Sequence, residues 1–165
     1  MLIRPMIDRG YVRLVRRIEE SGIHVASLQP GTVDEMFTYW EILGMLTGRR
    51  DRALEMIADF RREVEEIRSL TAPVFPKKRV YFEAIHHRMK TFSPDAMAVF
   101  ALECAGGVNI AGDAEPVRGT NIANYGKERI LSHAGEIDVF LAQEGAMNRP
   151  TVEMIRNEPG FSAVK

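Results

Sequence analysis

From Asp51 to Ser69 the apolar residues Ala53, Ile57, Phe60, Val64 and Ile67 recur every third or fourth position in a segment that is otherwise almost entirely charged. That period predicts one long helix with a narrow apolar stripe. Directly after it, Thr71-Ala72-Pro73-Val74-Phe75-Pro76 sets two prolines within four positions, and neither a helix nor a central strand continues through such a run. A helix of this kind must lay its stripe on something else, and the break behind it divides the amino-terminal portion of the chain from the carboxyl-terminal one. The chain therefore reads in three parts: 1–48, the connecting helix and its proline boundary at 49–76, and 77–165.

Ahead of the connecting helix, Tyr11 to Glu20 places Val12, Val15 and Ile18, with Leu14, on one side of a helix that Gly22 stops. Ile23 to Leu28 reads as a short strand, and Leu2-Ile3-Arg4-Pro5 as the end of another, so the three make a βαβ unit with parallel strands. Thr32-Val33-Asp34-Glu35 has the form of a capping box, opening a helix that carries Met36, Phe37, Trp40, Leu43 and Leu46 and ends near Gly48. Beyond the prolines, Lys78 to Ile85 is a strand and His86 to Phe92 a loop. Ser93-Pro94-Asp95 opens a helix that closes at Gly106-Gly107. Asn109 to Tyr125 is loop-rich, Lys127 to His133 a short helix, Ile137 to Ala142 a buried strand, and Asn148-Arg149-Pro150 the start of a last helix. Strands alternating with helices predict an α/β sandwich with a mainly parallel sheet.

Charge and motifs exclude more than they propose. With 22 Lys and Arg against 23 Asp and Glu, the net charge of -1 gives no electrostatic footprint for nucleic acid or an anionic membrane. The single Cys104 cannot form an internal disulfide, and its apolar surroundings make it a small buried hydrophobe. There is no phosphate loop, no G-x-G-x-x-G and no G-x-S-x-G, so no catalytic residue is expected and no cofactor is implied. His86-His87 lacks the H-E-x-x-H spacing, and neighbours at a strand end point opposite ways, so the two do not share one ion. Met36, Met45, Met56, Met97 and Met154 sit in helical patterns, where filling the core is the ordinary use.

In open parallel sheets ligands bind beyond the carboxyl ends of the strands. Two loops qualify, Arg4 to Arg9 and His86 to Phe92, with Gln143-Glu144-Gly145 as a third. The second offers His86, His87, Arg88, Lys90 and Phe92, and cations beside an aromatic suit an anionic, partly apolar ligand such as a metal chelate. The bland alternative is that loops are polar anyway and these residues face only water.

Several segments, in order along the chain, resemble one family. "SGIHVASLQP" is similar to a Gly-Ile-x-Val strand, "EILGMLTGRRDRALEMI" to a Leu-Gly-x-Leu-Thr-Gly entry into a long helix, and "KKRVYFEA" to the opening strand of a second lobe. "LECAGGVNIAGD" resembles a Gly-Gly-x-Asn-Ile-Ala segment, "YGKERILSHAGEIDVFLA" a Ser-x-Glu-x-Leu helix followed by a Pro-Asp-x-Ile strand, and "FSAVK" the approach to a final strand. Together they resemble the periplasmic substrate-binding proteins of the iron-siderophore, haem and cobalamin ABC importers. The resemblance implies two α/β lobes joined by one long helix, with a chelated metal or corrinoid clamped between the lobes and passed to an ABC permease. It implies that this chain holds the remnant of the first α/β lobe, the long helix and a three-layer α/β/α second lobe. It implies a place in the periplasm or on the outer face of the cytoplasmic membrane, no enzyme activity, no cofactor and no nucleic-acid partner. Met1 would fall near the last strands of the first lobe and Lys165 just before the last strand of the second, with most of the first lobe and the export leader upstream. Glu128, in "KERIL", occupies the place of the family's permease-docking Glu, although Gly126-Lys127 replaces the usual Ser or Thr before it. Ligand contacts do not transfer by motif; Arg4, His86, His87, Arg88, Phe92 and Tyr125 are expected from position, with Glu83 and Asn109 as further candidates whose ordinary use is structural. An oxyanion ligand of the molybdate type, or a cytoplasmic flavodoxin-like regulatory domain, are the alternatives.

Overall fold

The structure is a computed structural model that describes residues 1–117, 120–145 and 148–164, apart from the side chain of Met6. Lys165, the end of the "FSAVK" segment, lies outside the described residues. The chain divides into two compact units, Met1–Ile57 and Ala58–Lys165, with the border inside one continuous helix.

The first unit has the expected parallel βαβ arrangement in a minimal form. Strand β1 (Leu2–Ile3) is followed by helices α1 (Pro5–Gly10) and α2 (Val12–Glu20) and by strand β2 (Ala26–Ser27), which pairs with β1 in parallel. The segment expected as a loop after the first strand is thus helical. Pro5 at the first helical position supplies the right φ and loses no hydrogen bond, and Ile7 N–H returns to the Arg4 carbonyl at 2.8 Å. Val15 is buried in α2, while Val12 and Leu14 are exposed. Helix α3 (Val33–Leu46) starts where the capping box predicts: Thr32 Oγ1 accepts the Glu35 N–H at 3.2 Å. The reciprocal arm reaches one residue further back, with Glu35 Oε2 accepting the Gly31 N–H at 2.6 Å. Helix α4 (Arg50–Thr71) begins shortly after Gly48. The corner between α3 and α4 is tight at Gly44, where an added Cβ would stand 2.6 Å from Ala53 Cβ.

The second unit contains the larger sheet. Its elements are β3 (Arg79–Ile85), β4 (Lys90–Phe92), α5 (Met97–Cys104), β5 (Val108–Asn109), β6 (Glu115–Pro116), β7 (Ile122–Asn124), α6 (Lys127–Ser132), β8 (Val139–Ala142) and α7 (Val152–Arg156). Strand β3 is the hub. Along one edge it pairs with β8 in parallel, from Val80 opposite Val139 to Glu83 opposite Ala142. The other edge is shared: β5 lies parallel to Arg79 and Val80, and β4 runs antiparallel to Glu83 and Ile85. Strands β7 and β6 continue antiparallel beyond β4.

The protein is α/β as expected, but its sheet is mixed, with parallel pairing confined to β3, β5 and β8 in this unit. The cause is the segment 86–92, expected as a loop. A single 3-10 turn, His86–Arg88, closed by Met89 in the left-handed region (φ 48), sends the chain straight back as β4. Helix α5 begins at Met97 and not at Ser93, because the Ser93 N–H is engaged by the Asn121 carbonyl at 2.9 Å and so extends the sheet. The last helix starts at Val152, with Thr151 Oγ1 accepting the Met154 N–H at 3.1 Å, which leaves Asn148 outside the helix.

The two faces of β3 carry different cores. Ala84, with Phe82 partly buried, joins Phe92, Ala96 and Val99 on one face. Tyr81 joins Ala123, Tyr125, Ile130, Ile137 and Phe161 on the other. Cys104 is buried at the end of α5, and its carbonyl accepts a 3.0 Å hydrogen bond from Thr71 Oγ1 at the end of α4. Of the methionines expected in the core, Met36 and Met97 are half-buried, whereas Met45, Met56 and Met154 are exposed.

Candidate functional site

Strand periodicity puts Glu83 on the same face of β3 as Tyr81, and there it is fully buried. The 3-10 turn after Ile85 then swings His86 back over it. His86 Nδ1 stands 3.0 Å from Glu83 Oε1 and 2.9 Å from Oε2, and His86 is itself buried. Contacts this short between a ring nitrogen and a carboxyl group require a proton between them, donated by the imidazole N–H or by the carboxyl O–H. Burial pushes the Glu83 pKa above the ordinary carboxylate range. The His86 hydrogen bond and charge pull it back, and Glu158 pushes it further up. Glu158 is in turn held by Lys127 Nζ at 2.6 Å.

The backbone around this pair is tied by one side chain. Asn148 Oδ1 accepts the His86 N–H at 3.0 Å, and Asn148 Nδ2 donates to the Gln143 carbonyl at 2.6 Å. The Gln143 N–H donates to the Glu83 carbonyl at 3.0 Å, and the Gly145 N–H donates to the Asn148 carbonyl at 2.7 Å. Glu83, His86, Gln143 and Asn148 therefore form one polar knot at the carboxyl ends of β3 and β8, with Asn148 only 8% exposed.

The other expected residues divide sharply around that knot. His87 and Arg88 are exposed beside it on the 3-10 turn, so the two adjacent histidines do point differently: one in, one out. Phe92 is expected from its position to meet ligand, but its ring lies in the core 4.8 Å from the Phe82 ring, because β4 turns that side chain inward. Tyr125 is also in the core rather than at an open ligand surface. Its ring centroid is 5.6 Å from that of Tyr81, and the Arg129 guanidinium covers it at 4.3 Å. Burial raises the phenol pKa of both Tyr81 and Tyr125, whose hydroxyls find no hydrogen-bond partner among the described residues. Arg4 is exposed at the start of α1 in the first unit. Glu128 is exposed in the first turn of α6, after Gly126, whose φ of 89° favours glycine. Asn109 is half-buried, its Oδ1 accepting the Ala111 N–H at 3.2 Å, and its buried Nδ2 has no hydrogen-bond partner among the described residues.

Among the described residues no three His, Cys, Asp or Glu side chains converge to hold a metal ion, and no helix is long and apolar enough to cross a membrane. What the sheet's carboxyl edge offers is an exposed imidazole and guanidinium on a buried, hydrogen-bonded footing. That can grip an anionic group by charge and shape. Sequence pattern alone puts His86 in a loop and Asn148 at a helix start, and it misses the tie between them. The one available signal is Glu83, a carboxylate inside the apolar run Val80 to Ile85 with a histidine three residues on.

The family model described as "Periplasmic binding protein" matches residues 7–165. No curated protein matches the chain. Among solved structures, the chain is similar to a possible iron-binding (periplasmic solute-binding) protein from Staphylococcus epidermidis ATCC 12228, with a TM-score of 0.81 at 20% identity over 99% of this chain and 61% of that one. It is similar to an ABC transporter substrate-binding protein from Listeria monocytogenes EGD-e, with a TM-score of 0.72 at 16% identity over 99% and 61%. It is also similar to the periplasmic heme-binding protein RhuT from Roseiflexus sp. RS-1, with a TM-score of 0.70 at 18% identity over 91% and 57%. The chain thus spans less than two thirds of the length of each. It belongs to the periplasmic binding protein family.

Proposed function

We propose that this member of the periplasmic binding protein family serves as the substrate-binding component of an ABC importer, taking up a metal chelate such as a ferric siderophore, haem or a corrinoid without transforming it. The observation that carries this reading is the exposed His87-Arg88 pair at the carboxyl end of β3, set on the buried Glu83–His86 contact. The Arg88 guanidinium there attracts the anionic groups of a chelate and the His87 imidazole can hydrogen-bond to them, while the chelator itself keeps the metal, so the protein needs no cage of its own. The iron-binding and heme-binding descriptions of two similar structures support the ligand class. On this reading residues 1–48 belong to a first lobe, 49–76 form the connecting helix and its boundary, and 77–165 belong to the second lobe. Arg4 would meet ligand from the first lobe. Glu128 would dock on the permease, since an exposed carboxylate at a helix start is free to pair across an interface. The site of action would be the periplasm or the outer face of the cytoplasmic membrane.

A thermal-shift screen against ferric siderophores, haem, corrinoids and molybdate tests the reading. Stabilisation by a chelate that is lost in Arg88→Ala is the expected result. Stabilisation by molybdate alone would move the ligand to the oxyanion class, and no stabilisation by any of the four would overturn the uptake function.

A further inference from the structure

We infer that Glu83, His86 and Asn148 act together as a latch that holds the two strand-end segments, the turn carrying His87-Arg88 and the segment carrying Gln143-Glu144, in one fixed arrangement. The latch is built from contacts that cross between segments. Asn148 bonds the His86 N–H with one end of its amide and the Gln143 carbonyl with the other, at 3.0 and 2.6 Å. Glu83 does the same at a second level: its carboxyl group meets His86 Nδ1 and its carbonyl accepts the Gln143 N–H. Each segment is therefore bonded to both Glu83 and Asn148, and neither can shift without leaving buried polar groups unpaired. His86, Glu83 and Asn148 are positioning residues here: they act on a ligand through the neighbours they hold.

The latch contains a titratable pair, which gives it a signature that ordinary packing lacks. Facing Glu83 are His86 from the turn, Tyr81 from its own strand, and Glu158, which is paired with Lys127 of α6. Thr91 opposes Glu83 from β4 and carries no charge. Burial and Glu158 outweigh the opposing pull of His86, so the Glu83 carboxyl group holds its proton to a higher pH than an exposed glutamate does. Raising the pH past the point where Glu83 ionises puts an added charge into the knot, and the latch loosens.

The inference rests on the proposed function only for what the fixed edge meets. Amide hydrogen exchange on the full chain without ligand tests the latch itself, so its failure and failure of the uptake reading are told apart. Protection factors would be read at His86 and Gln143, with Ile110, bonded to the Val80 carbonyl, as the reference. In Asn148→Ala both His86 and Gln143 should exchange about tenfold faster while Ile110 is unchanged. In the wild type their protection should fall as the pH rises through the Glu83 transition. Glu83→Gln, which keeps an acceptor for the imidazole but cannot ionise, should keep the protection and abolish the trend. Loss of protection at His86 alone in Asn148→Ala, or an unaltered pH trend in Glu83→Gln, would overturn the latch. Should Asn148→Ala fail to fold, the near-isosteric Glu83→Gln decides by its pH profile.

Discussion

The two units apply the same βαβ grammar with unequal results. In the second, β3 is paired along both edges and covered by an apolar cluster on each face, so Val80 to Ala84 are buried or nearly so. In the first, the sheet is two residues paired with two, and Tyr11, Val12, Leu14 and Ile23 stay 59%, 55%, 51% and 49% exposed. Amphipathic patterning is equally clear in both, yet it yields burial only where a strand has neighbours on both sides and layers on both faces. The lesson is that stability resides where strands are shared, and the largest mutational costs should be found around β3.

The sharpest form of that claim concerns Phe92. Expected from sequence as a ligand contact, it is a core residue in the structure, so Phe92→Ala should cost about 3–5 kcal/mol in urea unfolding. Val15, the buried residue of α2, is its counterpart in the first unit, and Val15→Ala should cost well under half as much. Equal costs would break the comparison.

Next in size is the polar knot. Glu83→Ala leaves His86 buried without its partner and should cost about 2 kcal/mol. The pH dependence has a definite sign. The folded-state pKa of Glu83 is raised, so its contribution to stability is complete below the ordinary carboxylate pKa and is lost as pH rises through the raised value. Unfolding free energy measured across that window should therefore decline in the wild type and flatten in Glu83→Gln. A rise in wild-type stability over the same window would contradict the burial assigned to this carboxyl group.

How much of this is legible in the sequence depends on how local each signal is. The box at Thr32–Glu35, the helix over the stripe from Ala53 to Ile67 and the break at Pro73 and Pro76 are local, and each appears where it is expected, although of the stripe only Ala53 and Ile57 are buried and Ile67 stays exposed. The hairpin through His86–Arg88 is invisible because it has no Asn-Gly or Gly-Gly signature; a non-glycine residue, Met89, takes the positive φ, which the sheet enforces from outside. Ser93 and Asn148 both look like helix starts. Each is claimed by a partner distant in sequence, Asn121 for the first and His86 for the second. The candidate site is legible as a region, the carboxyl edge of β3, but not as a mechanism, since the side of the chain each residue faces is settled by β4 and β8. The cap at Thr32 gives the first unit its own smaller test: Thr32→Ala should cost about 1 kcal/mol and reduce helix content.

The smallest expected effect on stability belongs to Glu128, and it separates burial from membership of a unit. Glu128 lies in the better-packed second unit, but it is exposed, at the start of the six-residue helix α6, and the ion pairs that helix makes use Lys127 and Arg129 instead. If burial rather than location sets the cost, Glu128→Ala should leave the thermal midpoint unchanged, in contrast to Phe92→Ala and Glu83→Ala from the same unit. The same substitution probes the proposed docking role, because on that reading affinity for a chelate is made at the carboxyl edge of β3 and transport at the permease. Ligand affinity by titration should therefore be preserved while uptake through the importer falls. A loss of affinity with uptake per bound ligand intact would place Glu128 at the ligand instead, and a loss of thermal stability would return it to an ordinary first-turn carboxylate supporting its own helix.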